Sequence, residues 1–156
     1  MTTSVREEDR SLLQFDRVVI REAAFVDVED AEDSVDAGTV EIKLEVRVTV
    51  GADGRRAFVL LRLILEPPID KVTFRQLNVA VEGSFTVSDG DASRLADFAH
   101  MQAPVLLLPY ARAVISSLTA MSRFGAVVVP PLNMMSIVSE MAEKAKASLG
   151  AQAERR

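Results

Sequence analysis

A lone imidazole is the first place to look for proton transfer or metal ligation, and His100 is the only histidine in the chain. No carboxylate or serine stands near it at a spacing that a catalytic pair or triad uses, so it reads as a structural or surface residue. The acidic run Asp27 to Asp36 (DVEDAEDSVD) offers Asp27, Glu29, Asp30, Glu32, Asp33 and Asp36 as oxygen ligands for calcium. It lacks the mid-loop glycine and the closing bidentate glutamate of an EF-hand, and reads instead as a solvated loop. There is no glycine-rich phosphate loop and no G-x-S-x-G elbow. The chain has no cysteine, so thiolate metal sites and disulfides are excluded and nothing calls for an oxidising compartment. A net charge of −5 argues against nucleic acid, which needs clustered Lys and Arg. None of these residues forms a recognised catalytic, phosphate-binding or metal-ligating set.

What the chain does carry is aliphatic surface. Of its 156 residues, 49% are hydrophobic and 5% aromatic. That balance suits β-branched strands packed on Leu, Ala and Met helices, and the length suits one domain. The most apolar stretch, Ala103 to Gly125 (APVLLLPYARAVISSLTAMSRFG), has Pro109 inside it and Arg112 near its middle. A central arginine is costly in hydrocarbon and the uninterrupted apolar part is too short to span a bilayer, so no membrane insertion is expected. The charged N-terminus (MTTSVREEDRSLLQ) has no apolar region of signal-peptide type, and the predicted location is the cytoplasm. Met121, Met134, Met135 and Met141 have two readings. They fill a core, or they line an adaptable surface beside the valine run, because thioethers repack around varied partners.

The elements that must position these residues follow from periodicity. Leu13 to Phe25 is strand-like. Val40, Ile42, Leu44, Val46, Val48 and Val50 alternate with Glu41, Lys43, Glu45, Arg47 and Thr49, a half-buried strand with one wet face. Gly51 to Gly54 (GADG) predicts a hairpin turn, and Ala57 to Leu65 a third strand ended by Pro67 and Pro68. A fourth strand alternates through Leu77, Val79, Val81, Phe85 and Val87, with Gly83 a candidate bulge. After Asp89 the period changes to that of a helix. A short helix N-capped by Asp91 is expected first, then a main helix from about Pro109 to Arg123. On the latter, Leu107, Ala111, Val114, Leu118 and Met121 share one face. Ala113, Ser117 and Ala120 form a stripe of small residues that lets another helix approach closely. Asn133 is the predicted N-cap of a last helix ending near Gly150, with Met134, Ile137, Val138, Met141 and Ala145 on its apolar face. The fold class is α+β, a four-stranded antiparallel sheet with the C-terminal helices packed on one face. One domain spans residues 1–156, with 1–11 and 151–156 expected as disordered tails.

Pro104, Leu107, Pro109, Tyr110, Ala111 and Arg112 stand at the spacing Pro-x-x-aliphatic-x-Pro-Tyr-Ala-Arg. Phe124, the run VVVP and Pro131-Leu132-Asn133 follow, and Glu82-Gly83-Ser84-Phe85 precedes them late in the fourth strand. In these features the chain resembles the bacterial export chaperone family SecB, from about Phe15 to Leu149. The resemblance implies a homotetramer built as a dimer of dimers, with the long helices at the seam, where Ala113, Ser117 and Ala120 would lie. It implies no catalysis and no cofactor. Its expected activity is ATP-independent holding of unfolded client polypeptides or preproteins in apolar grooves. Phe25, Phe124, Val127, Val128, Val129, Met134 and Met135 are the groove candidates.

The departures from the family concern the partner. SecB docks the translocase ATPase SecA through acids on the open sheet face and through its C-terminal tail. Here Glu22 keeps one acidic position, while Asn78, Gln76 and Val26 stand at or beside others and the tail AQAERR has no counterpart. A weak SecA contact through Glu22 is therefore expected. The alternative client is an antitoxin, as in the SecB-like chaperones of toxin–antitoxin systems. Readings from other classes are a small-molecule-binding α+β domain, which would need a convergent polar set, and a structural adaptor that binds one folded partner.

Overall fold

Period-two alternation gives one sheet two chemically different faces. The computed structural model describes residues 13–28, 40–67, 74–87, 92–123 and 125–153. Strands β1 (Leu13–Asp27), β2 (Glu41–Val50), β3 (Arg56–Glu66) and β4 (Phe74–Val87) precede helices α1 (Ala92–Met101), α2 (Ala103–Thr119) and α3 (Met134–Ala153). The strands form one antiparallel sheet in the order β1-β4-β3-β2. Gly51 N–H donates to the Arg56 carbonyl at 2.8 Å across the predicted hairpin turn, and Gly54 takes the positive φ of 64° that such a turn asks for.

On the covered face, Ala57, Val59, Leu61, Leu63 and Leu65 of β3 lie beside Leu77, Val79, Val81, Phe85 and Val87 of β4, all buried. Leu95 and Ala99 of α1 close over them, with Leu107, Ala111 and Ile115 of α2 and Val138 of α3. Each Leu or Val so withdrawn contributes about 1.5–3 kcal/mol of transfer free energy. Phe85 stacks on Phe15 at 4.9 Å and meets Phe98 edge-on at 5.4 Å.

The helices depart from the sequence expectation. α2 begins at Ala103, before Pro109, and only Gln102 separates it from α1. Gln102 N–H donates to the Phe98 carbonyl at 2.8 Å, and its own carbonyl accepts from Val105 and Leu106. Pro104 occupies the first turn, where no N–H is needed. Pro109 sits inside the helix. Its ring denies a hydrogen bond to the Val105 carbonyl, and both residues are on the exposed side, where water serves the freed oxygen. The helix ends at Thr119, so Met121 leaves the buried face and is 96% exposed. The buried line is instead Leu107, Ala111, Ile115 and Thr119. Asn133 caps α3 as expected, accepting from Ser136 N–H at 3.2 Å. That helix runs past Gly150 to Ala153, which draws 151–153 into it from the expected tail. Asp91, residues 1–12 and residues 154–156 lie outside the described residues.

Gly83 is not a bulge. The β3–β4 register runs unbroken through it, and the irregularities of the β1–β4 pair fall elsewhere, with an extra residue on β1 at Asp16 and at Arg21 and one on β4 at Arg75. Gly83 answers a packing need: a Cβ there would meet Leu107 Cδ2 at 2.7 Å and the Phe85 ring at 2.8 Å. No helix among the described residues is long and apolar enough to cross a membrane.

Candidate functional site

The segment joining α2 to α3 is apolar, extended and not part of the sheet, so its position depends on side-chain fixings. Thr119 Oγ1, fully buried, donates to the Ile115 carbonyl at 2.9 Å and accepts Val127 N–H at 2.7 Å. Ser116 Oγ donates to the Val127 carbonyl at 3.1 Å. Val127 is thus held by both of its backbone groups to the last turns of α2. Upstream, Ser122 and Gly125 form a turn, with Gly125 N–H donating to the Ser122 carbonyl at 3.0 Å and Gly125 at φ 74°. Arg123 Nε lies 3.5 Å from Asp27 Oδ2 at the end of β1. The segment therefore starts beside the β1 edge and crosses the sheet end to the start of β2.

Where it reaches β2 it leaves a groove. Val40, Ile42, Leu65, Val127, Val128, Val129 and Pro130 line a cavity of about 270 Å³. A second hollow of about 290 Å³ lies on the other side of the segment, lined by Pro109, Arg112, Ala113, Ser116, Val128 and Val129. Val127 and Val129 turn inward and are buried, while Val128 stands 70% exposed on the ridge between the two hollows. Phe25 belongs to the same cross-sheet row, Phe25-Leu77-Leu65-Ile42, at the end remote from the groove. Its ring is half-buried against Phe74 at 6.3 Å.

Of the groove candidates, Val127, Val128 and Val129 come together. Phe25 shares a cross-sheet row with Leu65 and Ile42 without lining the cavity, and Phe124 lies outside the described residues. Met134 packs into the core, whereas Met135, 48% exposed, reaches solvent at the start of α3. Val40, Ile42, Leu65 and Pro130 were missed. They are legible as strand or linker residues, but only the register brings them opposite the valine run. Ala113 and Ser117 on α2 and Ala120, just past its end, are all exposed, and Leu106 and Tyr110 extend their stripe toward the helix start. Ile20 pairs with Val81 and so faces the covered side of the sheet, yet remains 57% exposed.

The open face of the sheet is governed by Arg62. Its Nη2 reaches Glu22 Oε2 at 3.0 Å and its Nη1 reaches Glu45 Oε2 at 3.2 Å, one acid from each edge strand. Asn78 Nδ2 donates to Glu22 Oε1 at 2.9 Å. Glu22 is therefore met by a cation and an amide on its own sheet. At the β2 edge, the hydrogen bond to Glu66 raises the Lys43 pKa above its ordinary value. His100 Nδ1 lies 2.8 Å from the Ala96 carbonyl of its own helix, and no His, Asp and Glu among the described residues gather as a metal site.

The lining of the groove is apolar throughout. A family model described as preprotein translocase subunit SecB matches residues 20–145, and the chain belongs to the SecB family of chaperones. The protein-export protein SecB of Legionella pneumophila is 28% identical over 115 residues, covering 73% of this chain and 71% of that one. That of Alcanivorax borkumensis is 22% identical over 156 residues, covering 95% and 97%. An uncharacterised protein of Methanocaldococcus jannaschii is 33% identical over 67 residues, only 43% of either chain. Among solved structures, a Mycobacterium tuberculosis SecB-like chaperone in complex with a ChAD peptide from the HigA1 antitoxin shares the fold. Its TM-score is 0.57 at 15% identity, over 78% of this chain and 91% of that one.

Thr119→Val keeps the side-chain volume and strands the buried Val127 N–H. It is expected to lower stability by about 1–3 kcal/mol in urea denaturation and to speed amide exchange at Val127. Unchanged stability and exchange would show that the linking segment is held elsewhere.

Proposed function

We propose that this chain is an ATP-independent holdase that keeps unfolded polypeptides from aggregating. The observation that carries the reading is the groove between β2 and the linking segment, with Val128 raised on its wall. Apolar contacts contribute about 25 cal/mol per Å² buried, so a hollow of this size holds one side chain weakly. Useful affinity requires several grooves engaged along one extended client. The polar set that a small-molecule site would need is missing from the groove lining. The decisive experiment uses the double variant Val128→Asp, Met135→Asp, both residues being exposed. It should stay folded, as judged by circular dichroism, and lose most of the parent's suppression of aggregation of a denatured model protein. A folded variant that suppresses as well as the parent would remove the groove from client binding.

Multivalency asks for more than one copy. The exposed line Leu106, Tyr110, Ala113 and Ser117 on α2, with Ala120 just past its end, supports a tetramer assembled through this helix, as in the family. Its small residues permit close helix approach. Ser117→Leu should oppose that approach at a cost of about 1–3 kcal/mol, and light scattering should then report a smaller particle. A tetramer that survives Ser117→Leu and Ala113→Leu alike would place the seam elsewhere.

The client route is the finer question. The Legionella and Alcanivorax relatives are protein-export proteins, whereas the solved mycobacterial neighbour is in complex with an antitoxin peptide. The Arg62–Glu22 pair favours a dedicated client over full SecA coupling, because an acid already neutralised steers a basic partner poorly. Calorimetric titration with SecA of the same organism at low salt should find weak or no binding. Low-micromolar affinity lost on Glu22→Lys would restore the export reading.

A further inference from the structure

The open face of the sheet has a second concavity, far from the linking segment. Asp16, Arg17, Arg56, Phe58, Ser84 and Thr86 line a basin of about 450 Å³ near the β2–β3 hairpin. The register builds it. Arg17, Ser84 and Phe58 form one cross-strand row, and Thr86 with Arg56 begins the next. The β1 bulge between Phe15 and Arg17 adds Asp16 to the same side, where Thr86 Oγ1 donates to its Oδ1 at 3.0 Å. Bulges of this kind re-aim side chains at edge strands.

Three features leave this basin short of a partner. Arg17 and Arg56 are exposed and make no ion pair among the described residues, in contrast to Arg62 and Arg21 on the same face. Ser84 lines the basin, 7% exposed, and its hydroxyl makes no hydrogen bond among the described residues. Arg47 stands one row further along on the same face and likewise makes no ion pair among the described residues. The one carboxylate present, Asp16, already holds the Thr86 hydroxyl.

We propose that this basin docks an acidic polypeptide segment, with carboxylates on Arg17 and Arg56 and an apolar neighbour on Phe58. The spacing favours a chain over a compact anion. Arg17 and Arg56 sit on strands separated by β4 and are offset by two residues along it, which puts their Cα atoms about 12 Å apart, and side chains four residues apart on an extended peptide lie about 13 Å apart. Two carboxylates on such a peptide meet two guanidinium groups without forcing them together, and Arg forks favour that geometry. The chain as a whole carries −5, so the attraction is local and decays over about 10 Å at moderate salt. This docking is independent of the groove.

The test is fluorescence anisotropy with a labelled decapeptide of alternating glutamate and valine, and its glutamine counterpart as control. Saturable binding of the glutamate peptide at low salt is expected. Arg17→Gln with Arg56→Gln should weaken it at least about tenfold, whereas Arg94→Gln on α1 and Val128→Asp in the groove should leave it unchanged. The single arginine variants carry the test if the double variant fails to fold. Absence of saturable binding, equal binding of the glutamine peptide, or retention by the arginine variants would overturn the proposal. Displacement by equimolar inorganic phosphate would overturn it too, in favour of a small-anion site.

Discussion

The close contact between α2 and the sheet at Gly83, where Leu107 occupies the space of a Cβ, constrains the packing above it. Without a Cβ at that point, Leu107 descends onto β4 and beside Phe85. The line one turn apart along the helix, Ala111, Ile115 and Thr119, then comes down onto the same floor and is fully buried. A helix held farther out would leave Thr119 in solvent, where its hydroxyl would bind water and not Val127. The linking segment would then lose its fixing. A missing methyl group on β4 and a valine ridge beside β2 are thus consecutive links of one packing chain.

The two faces of the sheet divide the labour between stability and contact. The covered face is aliphatic and close to fully buried, and it supplies the free energy of folding. The open face carries charge on every strand, arranged in cross-strand pairs: Arg62 between Glu22 and Glu45, Arg21 on Glu82, Lys43 on Glu66. Partly exposed pairs of this type contribute about 0–1 kcal/mol each, so their main effect is on the field the face presents. The Arg21–Glu82 and Lys43–Glu66 pairs are neutral, and the Arg62 cluster with two carboxylates keeps one net negative charge. The bulges on β1 take part in this, since the extra residues Asp16 and Arg21 both turn outward. They also break the regular ladder along an exposed edge strand, which protects it from unwanted pairing.

The strands and the fold class were legible because alternation is local: Val40 to Val50 announces its two faces without knowledge of any neighbour. The cap at Asn133 was legible for the same reason. The bounds of α2 were not, because Pro109 looks like a start signal. It reads as interior only once Val105 and Pro109 are known to face solvent. Gly83 was misread as a bulge because a glycine in a strand has two meanings, an extra residue or a close neighbour, and the neighbour lies in another element. The valine run was recognisable as one wall of a groove. Its opposite wall, Val40, Ile42 and Leu65, depends on register across residues far apart in sequence. Met134 and Met135 are adjacent and alike, yet one packs in the core and the other meets solvent. Composition cannot separate them, and only the phase of α3 does.

The manner in which the linking segment is fixed bears on what its groove can accept. Its burial alternates like that of a strand, and Val127 has both backbone groups tied to α2, by Thr119 and Ser116. Val128, one residue on, makes no backbone hydrogen bond among the described residues and exposes its side chain. The wall is thus pinned at one point and free at the next, between two shallow hollows of similar size. A rigid wall paired into the sheet would select one side-chain shape, and a wholly unpinned one would collapse onto the apolar floor of Ile42 and Leu65. A wall fixed at Val127 and unbonded at Val128 suits the weak binding of varied aliphatic side chains proposed for the groove.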